Sequence, residues 1–93
     1  METKDSSNPQ GKTIEESFGE VLRQVRQNRN LSQESLGFMS GYHRTYISLL
    51  ERGQKSPSLQ TVFQLAKALK IEPSEIIKHV QFRISEKNDS GGS

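Results

Sequence analysis

The apolar residues of this 93-residue chain occur singly or in pairs, and over most of the sequence they recur three or four positions apart. This spacing is typical of helices that bury one face. The lack of longer apolar runs excludes a membrane-spanning helix and the apolar segment of a secretory signal peptide. We therefore expect a mostly helical protein that works in the cytoplasm without contact with a membrane.

The residue types that support catalysis or metal binding are scarce. The chain has no cysteine, and its only histidines are His43 and His79, far apart in the sequence. Without cysteine there is no disulfide, thiolate metal site or thiol nucleophile. The histidines also lack the acidic pattern of a metal-dependent hydrolase. We expect no enzyme, no metal, no cofactor and no small-molecule ligand.

The net charge of +2 conceals an uneven distribution. When basic and acidic residues are balanced, residues 1–20 carry −3, residues 21–60 carry +4 and residues 61–93 carry +1. Five of the six cations in the middle segment are arginines. This segment is the expected site for an anionic partner such as DNA, although an ordinary solvated surface could carry the same charge.

Composition divides the chain into a core segment and two tails. Residues 1–12 and 86–93 are polar and rich in Ser, Gly and charge, which predicts disorder at both ends. Residues 13–79 contain the helical spacing and form the predicted domain. Residues 80–85 are a possible dimerisation extension.

Capping residues separate four helices within the domain. We expect them at about residues 15–28, 33–41, 44–52 and 59–71. In the second helix the inward residues are Leu36 and Met39. The fourth helix is expected to form the centre of the core, through Leu59, Val62, Phe63, Leu65, Ala66 and Leu69. The expected caps are Thr13 or Ser17, then Ser32, Gly41, Gly53 and Ser58.

A fifth helix is expected to begin at Pro73, because proline suits a first helical turn. After it, Val80, Phe82 and Ile84 alternate with polar residues, and this period of two predicts a short strand.

The second and third helices are both short and are separated by Gly41, as in a helix-turn-helix. In the third helix Ile47 and Leu50 should face inward. Arg44, Thr45 and Ser48 should face outward, with Leu49 at the edge. A generic pair of packed helices would have similar spacing, so the pattern alone leaves both interpretations open.

The stretch from Leu31 to Leu69 resembles the Cro/C1-type, or xenobiotic-response-element, family of helix-turn-helix regulators. Within it, the controller proteins of restriction-modification systems are the most similar subset. The residues at family spacing are Leu31, Gln33, Leu36, Gly41, Ile47, Glu51, Gly53, Pro57 and Leu69. The resemblance covers about residues 15–78 and implies an all-α fold, a compact five-helix domain like that of lambda repressor. The chain departs from it at Gly37 and Ser40, where alanine is usual, and at Tyr42, where a smaller aliphatic is common.

The resemblance also implies which residues contact DNA. The residues matched to base-contacting positions are Arg44, Thr45, Ser48 and Leu49. Those matched to phosphate-contacting positions are Gln33, His43, Tyr46, Arg52, Gln54, Lys55 and Ser56. An arginine can bond guanine through two parallel hydrogen bonds, and threonine can touch a thymine methyl. Gln33 could instead be a plain first-turn residue, Arg44 a solvated one, and His43 a helix cap.

Arg26 and Glu51 match family positions that pair between the first and third helices, which implies a structural ion pair. A contact of Arg26 with phosphate is the alternative. Apolar residues near the carboxyl end exceed what a five-helix core needs, and the resemblance implies a dimer interface there: Ile76, Ile77, Val80, Phe82 and Ile84. Alternatively, this segment covers the core of its own chain. Phe38 is either an exposed contact or half-buried beside the tail.

The expected function is a transcriptional regulator that binds a palindromic, double-stranded DNA operator as a homodimer, and the resemblance implies a restriction-modification controller. The alternative is a protein-interaction adaptor or antitoxin that uses the same fold. In that case Phe38 and Phe82 would contact another protein.

Overall fold

The computed structural model describes residues 12–92, and of residues 86–92 it describes the backbone alone. Within that part the chain forms five helices and no strand, which confirms the all-α prediction. The helices are α1 Ile14–Asn28, α2 Gln33–Ser40, α3 Arg44–Glu51, α4 Leu59–Leu69 and α5 Pro73–Gly92. The predicted tail at residues 1–12 lies outside the described residues, apart from Lys12.

Side-chain caps define where the first helices begin. Of the two candidates for α1, Thr13 is the cap: its hydroxyl accepts the Glu16 N–H at 3.0 Å, and the Glu16 carboxylate accepts the Thr13 N–H at 3.1 Å. Ser32 and Ser58 cap α2 and α4 by accepting an N–H three residues on. Each such cap stabilises a helix by about 1 kcal/mol.

The core lies where α1 packs against α3 and α5, and where α2 packs against α3 and α4. Full burial of a Leu or Ile side chain contributes about 1.5–3 kcal/mol, so these contacts are the main stabilising term. The largest apolar side chains with no more than about 1% exposure are Leu22, Leu36, Ile47, Leu50, Leu65, Leu69 and Ile76.

Three apolar residues that were expected in the core lie on the surface instead. Leu59 and Phe63 of α4 are 70% and 55% exposed, and Met39 of α2 is also exposed. Leu59 and Phe63 lie outside the buried face of α4, which consists of Thr61, Val62, Leu65, Ala66 and Leu69. The prediction was wrong because three-and-four spacing identifies a helix but not the edges of its buried face.

The segment predicted as a strand is part of α5. Ile76 and Val80 are buried and Ile84 packs at the edge of the core, so the four-residue spacing of these three outweighs the apparent alternation. Phe82 lies on another face of the helix and is exposed. The backbone of α5 continues through the predicted carboxyl-terminal tail as far as Gly92. None of the described helices is long and apolar enough to cross a membrane.

Helices α1 and α3 come into backbone contact at Gly19. A Cβ atom placed there would lie 2.4 Å from the Leu50 carbonyl oxygen and 2.5 Å from that of Glu51. No side chain fits at these distances, because both neighbours are backbone atoms. Glycine at position 19 therefore determines how deeply α3 sits against α1.

Candidate nucleic-acid interface

A tight turn joins α2 to α3. Gly41 ends α2 with φ +85°, a left-handed conformation that favours glycine, and the Tyr42 N–H donates to the Gly37 carbonyl at 2.8 Å. Two residues later α3 begins at Arg44. The two eight-residue helices and this turn have the form of a helix-turn-helix, in which the second helix can enter the major groove of DNA.

Helix α3 has one apolar face and one polar face. Ile47 and Leu50 are fully buried, while Arg44 and Thr45 are exposed at the first turn. Ser48 and Leu49 are half-buried along the helix. The four residues matched to base-contacting positions thus lie outside the buried stripe of α3, with the two most exposed at its amino end.

His43 is the cap of α3. Its Nδ1 accepts the backbone N–H of Thr45 at 3.0 Å. The ring therefore satisfies one of the free N–H groups at the start of the helix, which is the capping role that the sequence left open. The exposed side chain leaves Nε2 as the atom for any phosphate contact.

The carboxyl end of α3 is tied to α1 and α2 through Glu51. Arg26 donates to its carboxylate from Nε at 2.6 Å and from Nη2 at 3.0 Å, and Gln33 donates from Nε2 at 3.0 Å. The third guanidinium nitrogen of Arg26 donates to the Leu31 carbonyl at 2.8 Å. Because the Glu51 side chain is only 3% exposed, these bonds satisfy a nearly buried charge.

The same hydrogen bonds engage Arg26 and orient Gln33. The guanidinium of Arg26 is bonded to Glu51 and Leu31, which is the geometry of the expected ion pair between α1 and α3. Gln33 is the first residue of α2, with one amide hydrogen engaged on Glu51. Its second amide hydrogen is the one that could meet a phosphate.

The loop after α3 presents four exposed polar residues, Arg52, Gln54, Lys55 and Ser56. Its backbone is fixed by Gly53 with φ +73° and by the Gln54 N–H, which donates to Leu49 at 2.9 Å. Arg52 borders a groove of about 250 Å³ that also contains acidic residues of α1. Lys55 is exposed and does not line that groove.

Glu20 on that side of α1 is held ionised by two cations. Burial alone would raise its pKa, but hydrogen bonds and charge interactions with Lys12 and Arg83 outweigh burial and lower it. Arg83 donates to Glu20 at 3.0 Å and also to the Gln24 side chain, which fastens α5 to α1.

Tyr42 and Tyr46 connect the turn and α3 to α4. Their ring centroids are 5.0 Å apart with an interplanar angle of 43°. The Tyr42 hydroxyl lies 3.0 Å from Oγ1 of Thr61 and donates to Oε1, the side-chain amide oxygen, of Gln64. Tyr46 is half-buried, and its hydroxyl lies 3.4 Å from the same Thr61 oxygen, so a phosphate would have to replace that contact. Sequence analysis missed these links because no local pattern relates a turn residue to a helix about twenty positions away.

The described surface also contains an apolar patch on α4 and α5, formed by Leu59, Phe63 and Ile77. Phe63 borders two shallow grooves of about 410 and 400 Å³, one of which is lined by Leu59 and Ile77 as well. We call these three residues the α4–α5 apolar surface. Of these three residues, only Ile77 was predicted to lie at an interface. The four-residue spacing of Leu59 and Phe63 could have indicated that both face outward on α4.

The structure does not bring the predicted interface residues together. Ile76 and Val80 are buried in the core of their own chain, so they cannot form a surface, and here the self-covering alternative holds. Phe82 lines a different groove, between α1 and α5. Ile77 is exposed and Ile84 is half-buried. Phe38 is 90% exposed on α2 and is therefore not half-buried beside the tail.

The amino-acid sequence is similar to those of known helix-turn-helix proteins. The family described as Helix-turn-helix matches residues 22–76. Control protein C.BamHI of Bacillus amyloliquefaciens is 43% identical over 61 residues, covering 64% of this chain and 75% of the relative. Control protein C.SmaI of Serratia marcescens is 48% identical over 56 residues, covering 60% and 67%.

Solved structures show the same fold. The restriction-modification controller protein C.AhdI of Aeromonas hydrophila is 48% identical, with a TM-score of 0.64 over 66% of this chain and 92% of its own. The controller protein C.Esp1396I, solved as a tetramer with its natural 35 base-pair operator, has a TM-score of 0.71 at 22% identity over 78% of this chain and 96% of its own. The second likeness concerns the fold alone.

Proposed function

Because this chain belongs to the helix-turn-helix family, with restriction-modification control proteins among its relatives, we propose that it regulates transcription by binding a palindromic DNA operator as a homodimer. The observation that carries the proposal is α3 itself: Arg44 and Thr45 are exposed at its amino end while Ile47 and Leu50 anchor its opposite face. The protein acts by binding, without catalysis, on DNA in the bacterial or phage-infected cytoplasm.

The amino end of α3 enters the major groove. There Arg44 bonds O6 and N7 of a guanine, and Thr45 meets a thymine methyl. Ser48 and Leu49 follow the groove from the next turn. Each well-formed contact to a base edge contributes about 1–3 kcal/mol of discrimination, so two short half-sites are needed for strong specificity.

Phosphate contacts position the helix on the duplex. Gln33 lies at the amino end of α2, where free N–H groups and the helix dipole attract an anion. The loop after α3 supplies the second clamp through Lys55 and the polar residues around it. These contacts add affinity for any sequence and make binding sensitive to salt.

The α4–α5 apolar surface is the contact between the two copies. A two-fold contact requires one patch to fit its own copy, and Phe63 projects between two grooves on the same surface. Phe63 of each chain can fill a groove of the other. The paired molecules then present two α3 helices to half-sites about one turn, roughly 34 Å, apart.

In vitro selection from random duplex DNA at about 150 mM salt tests this function, because non-specific phosphate binding is weakened there. We expect a palindrome with half-sites about one turn apart. Arg44→Ala serves as the matched variant, which should lose preference at one position of each half-site. Failure of the folded wild-type protein to enrich any sequence would refute the proposal.

The adaptor or antitoxin function remains the second candidate, because Phe38 and Phe82 are 90% and 65% exposed. Such side chains are suited to a protein partner. Selection without enrichment, together with pull-down of a partner that Phe38→Ser abolishes, would favour it.

A further inference from the structure

Tyr42 lies in the turn of the helix-turn-helix, yet its polar contacts are with α4. Its hydroxyl meets Thr61 at 3.0 Å and Gln64, one and two turns into α4, and its ring packs on Tyr46 of α3. Thr61 is almost fully buried, while Gln64 is exposed. One side chain therefore joins the turn, the helix that faces DNA and the helix that carries Phe63.

The hydroxyl protons in this cluster can be assigned so that each is used once. Ser58 donates to Thr61 at 3.0 Å, Thr61 donates to Tyr42, and Tyr42 donates to Gln64. The Tyr46 hydroxyl can donate to the second lone pair of Thr61 at 3.4 Å. These hydrogen bonds have preferred angles, so they constrain the orientation of α3 relative to α4. The apolar packing beneath α3 has no such angular preference. We call these hydrogen bonds the tyrosine–threonine network.

Different side-chain contacts hold the two ends of α3. Glu51 holds the carboxyl end to Arg26 of α1. The amino end, where Arg44 and Thr45 lie, is held laterally by the tyrosine–threonine network to α4. The base-contacting end is thus linked to α4 by hydrogen bonds, in addition to the packing of α3 against α1 and α2.

We propose that Tyr42 is a positioning residue that determines which spacing between half-sites the protein accepts. The inference rests on the proposed function, in which α4 carries the contact between copies. Two α3 helices can measure a spacing only if each is fixed relative to that contact. Tyr42 supplies this link, since Gln64 lies next to Phe63 in the chain and Thr61 lies two residues before it.

The test measures affinity of the full-length protein for the selected palindrome and for versions with one central base pair inserted or removed. Such a change moves the half-sites by about 3.4 Å and about 34°. Wild type should prefer the selected spacing. Tyr42→Phe keeps the ring and removes the hydroxyl with its hydrogen bonds to Thr61 and Gln64, and it should lower the ratio of affinities between selected and altered spacing by about fivefold or more.

Gln64→Ala removes the acceptor of the second of these bonds and should lower the ratio in the same direction. Gln27→Ala is the matched control, an exposed glutamine on α1, and should leave the ratio as in wild type. A ratio for Tyr42→Phe that stays within about twofold of wild type would overturn the inference while leaving the proposed function intact. A wild-type protein that selects no paired half-sites would overturn both.

Hydrogen exchange in the free protein separates positioning from a general loss of stability. The N–H groups of Tyr46 and Ile47 donate to the His43 carbonyl at 2.9 and 3.2 Å, and that of Arg52 donates to Ser48 at 3.0 Å. In Tyr42→Phe the first two should exchange about fivefold faster and Arg52 should be unchanged. Equal acceleration at all three would mean that Tyr42 only stabilises the fold.

Discussion

Replacement of Arg26 by methionine tests the anchor at the carboxyl end of α3. In the native protein the Glu51 carboxylate accepts two hydrogen bonds from Arg26 and one from Gln33, with only 3% of its side chain exposed. Arg26→Met keeps apolar volume but leaves Glu51 with a single donor and the Leu31 carbonyl without its guanidinium partner. Removal of one member of a buried pair costs about 3–5 kcal/mol.

That loss is large for a domain of this size. Small domains have a free energy of unfolding of about 5–15 kcal/mol, so Arg26→Met removes a major part of it. At about 4–8 °C per kcal/mol, the expected fall in Tm is about 12 °C or more. Urea unfolding followed by circular dichroism measures the free energy directly, and an unchanged slope with denaturant would show that the folded state keeps its compactness.

The double variant Arg26→Met/Glu51→Leu is the control that separates charge burial from packing. With both charges gone, the unpaired carboxylate disappears, and the stability should recover to within about 2 kcal/mol of wild type. DNA binding by the single variant, corrected for its folded fraction, should keep the base preference that Arg44 provides. A cost below about 1 kcal/mol, or a double variant no more stable than the single one, would refute this account.

Three further predictions concern the binding surfaces and pH. Arg44→Ala should cost about 1–3 kcal/mol on the selected operator and little on random DNA, whereas Lys55→Ala should weaken both similarly and reduce the salt slope by about one, as titrations at several salt concentrations would show. Phe63→Glu should abolish self-association in sedimentation experiments, and Phe82→Glu, on another groove, should not; equal effects would remove the α4–α5 apolar surface as the interface. Because the pKa of Glu20 is lowered on folding, its contribution to stability is present above its unfolded pKa and is lost as pH falls through the folded one. Glu20→Gln should therefore lower the free energy of unfolding at neutral pH, change it little in strong acid, and so flatten the acid side of the stability profile.

Local patterns predicted most of the fold, because the helices begin and end at residues with strong local preferences. Ser32, Gly41 and Ser58 act as expected from the sequence alone. The alternation of Val80 and Ile84 with polar residues was misleading, since a spacing of four also describes one face of a helix. Only the packing of α1 against that face decides between the two.

For the candidate site, sequence analysis identified the residues of α3 but not what orients them. The exposure of Arg44 follows from the period of the helix, whereas the contact of Tyr42 with Gln64 depends on how two distant segments pack. The same limit explains Leu59 and Phe63. A single sequence shows that they are apolar, but not that the neighbouring side chains leave them uncovered.

The backbone contact at Gly19 fixes the position of α3 through main-chain atoms, whereas the outward side chains of α3 determine what it binds. Since main-chain atoms of Leu50 and Glu51 set the depth of the helix, the identity of its outward side chains has little influence on where it sits. Arg44 and Thr45 could therefore be exchanged for other residues without moving the scaffold. Operator preference would then change by altering a few surface positions, which allows this domain to be retargeted to new DNA sequences by substitution or by laboratory selection.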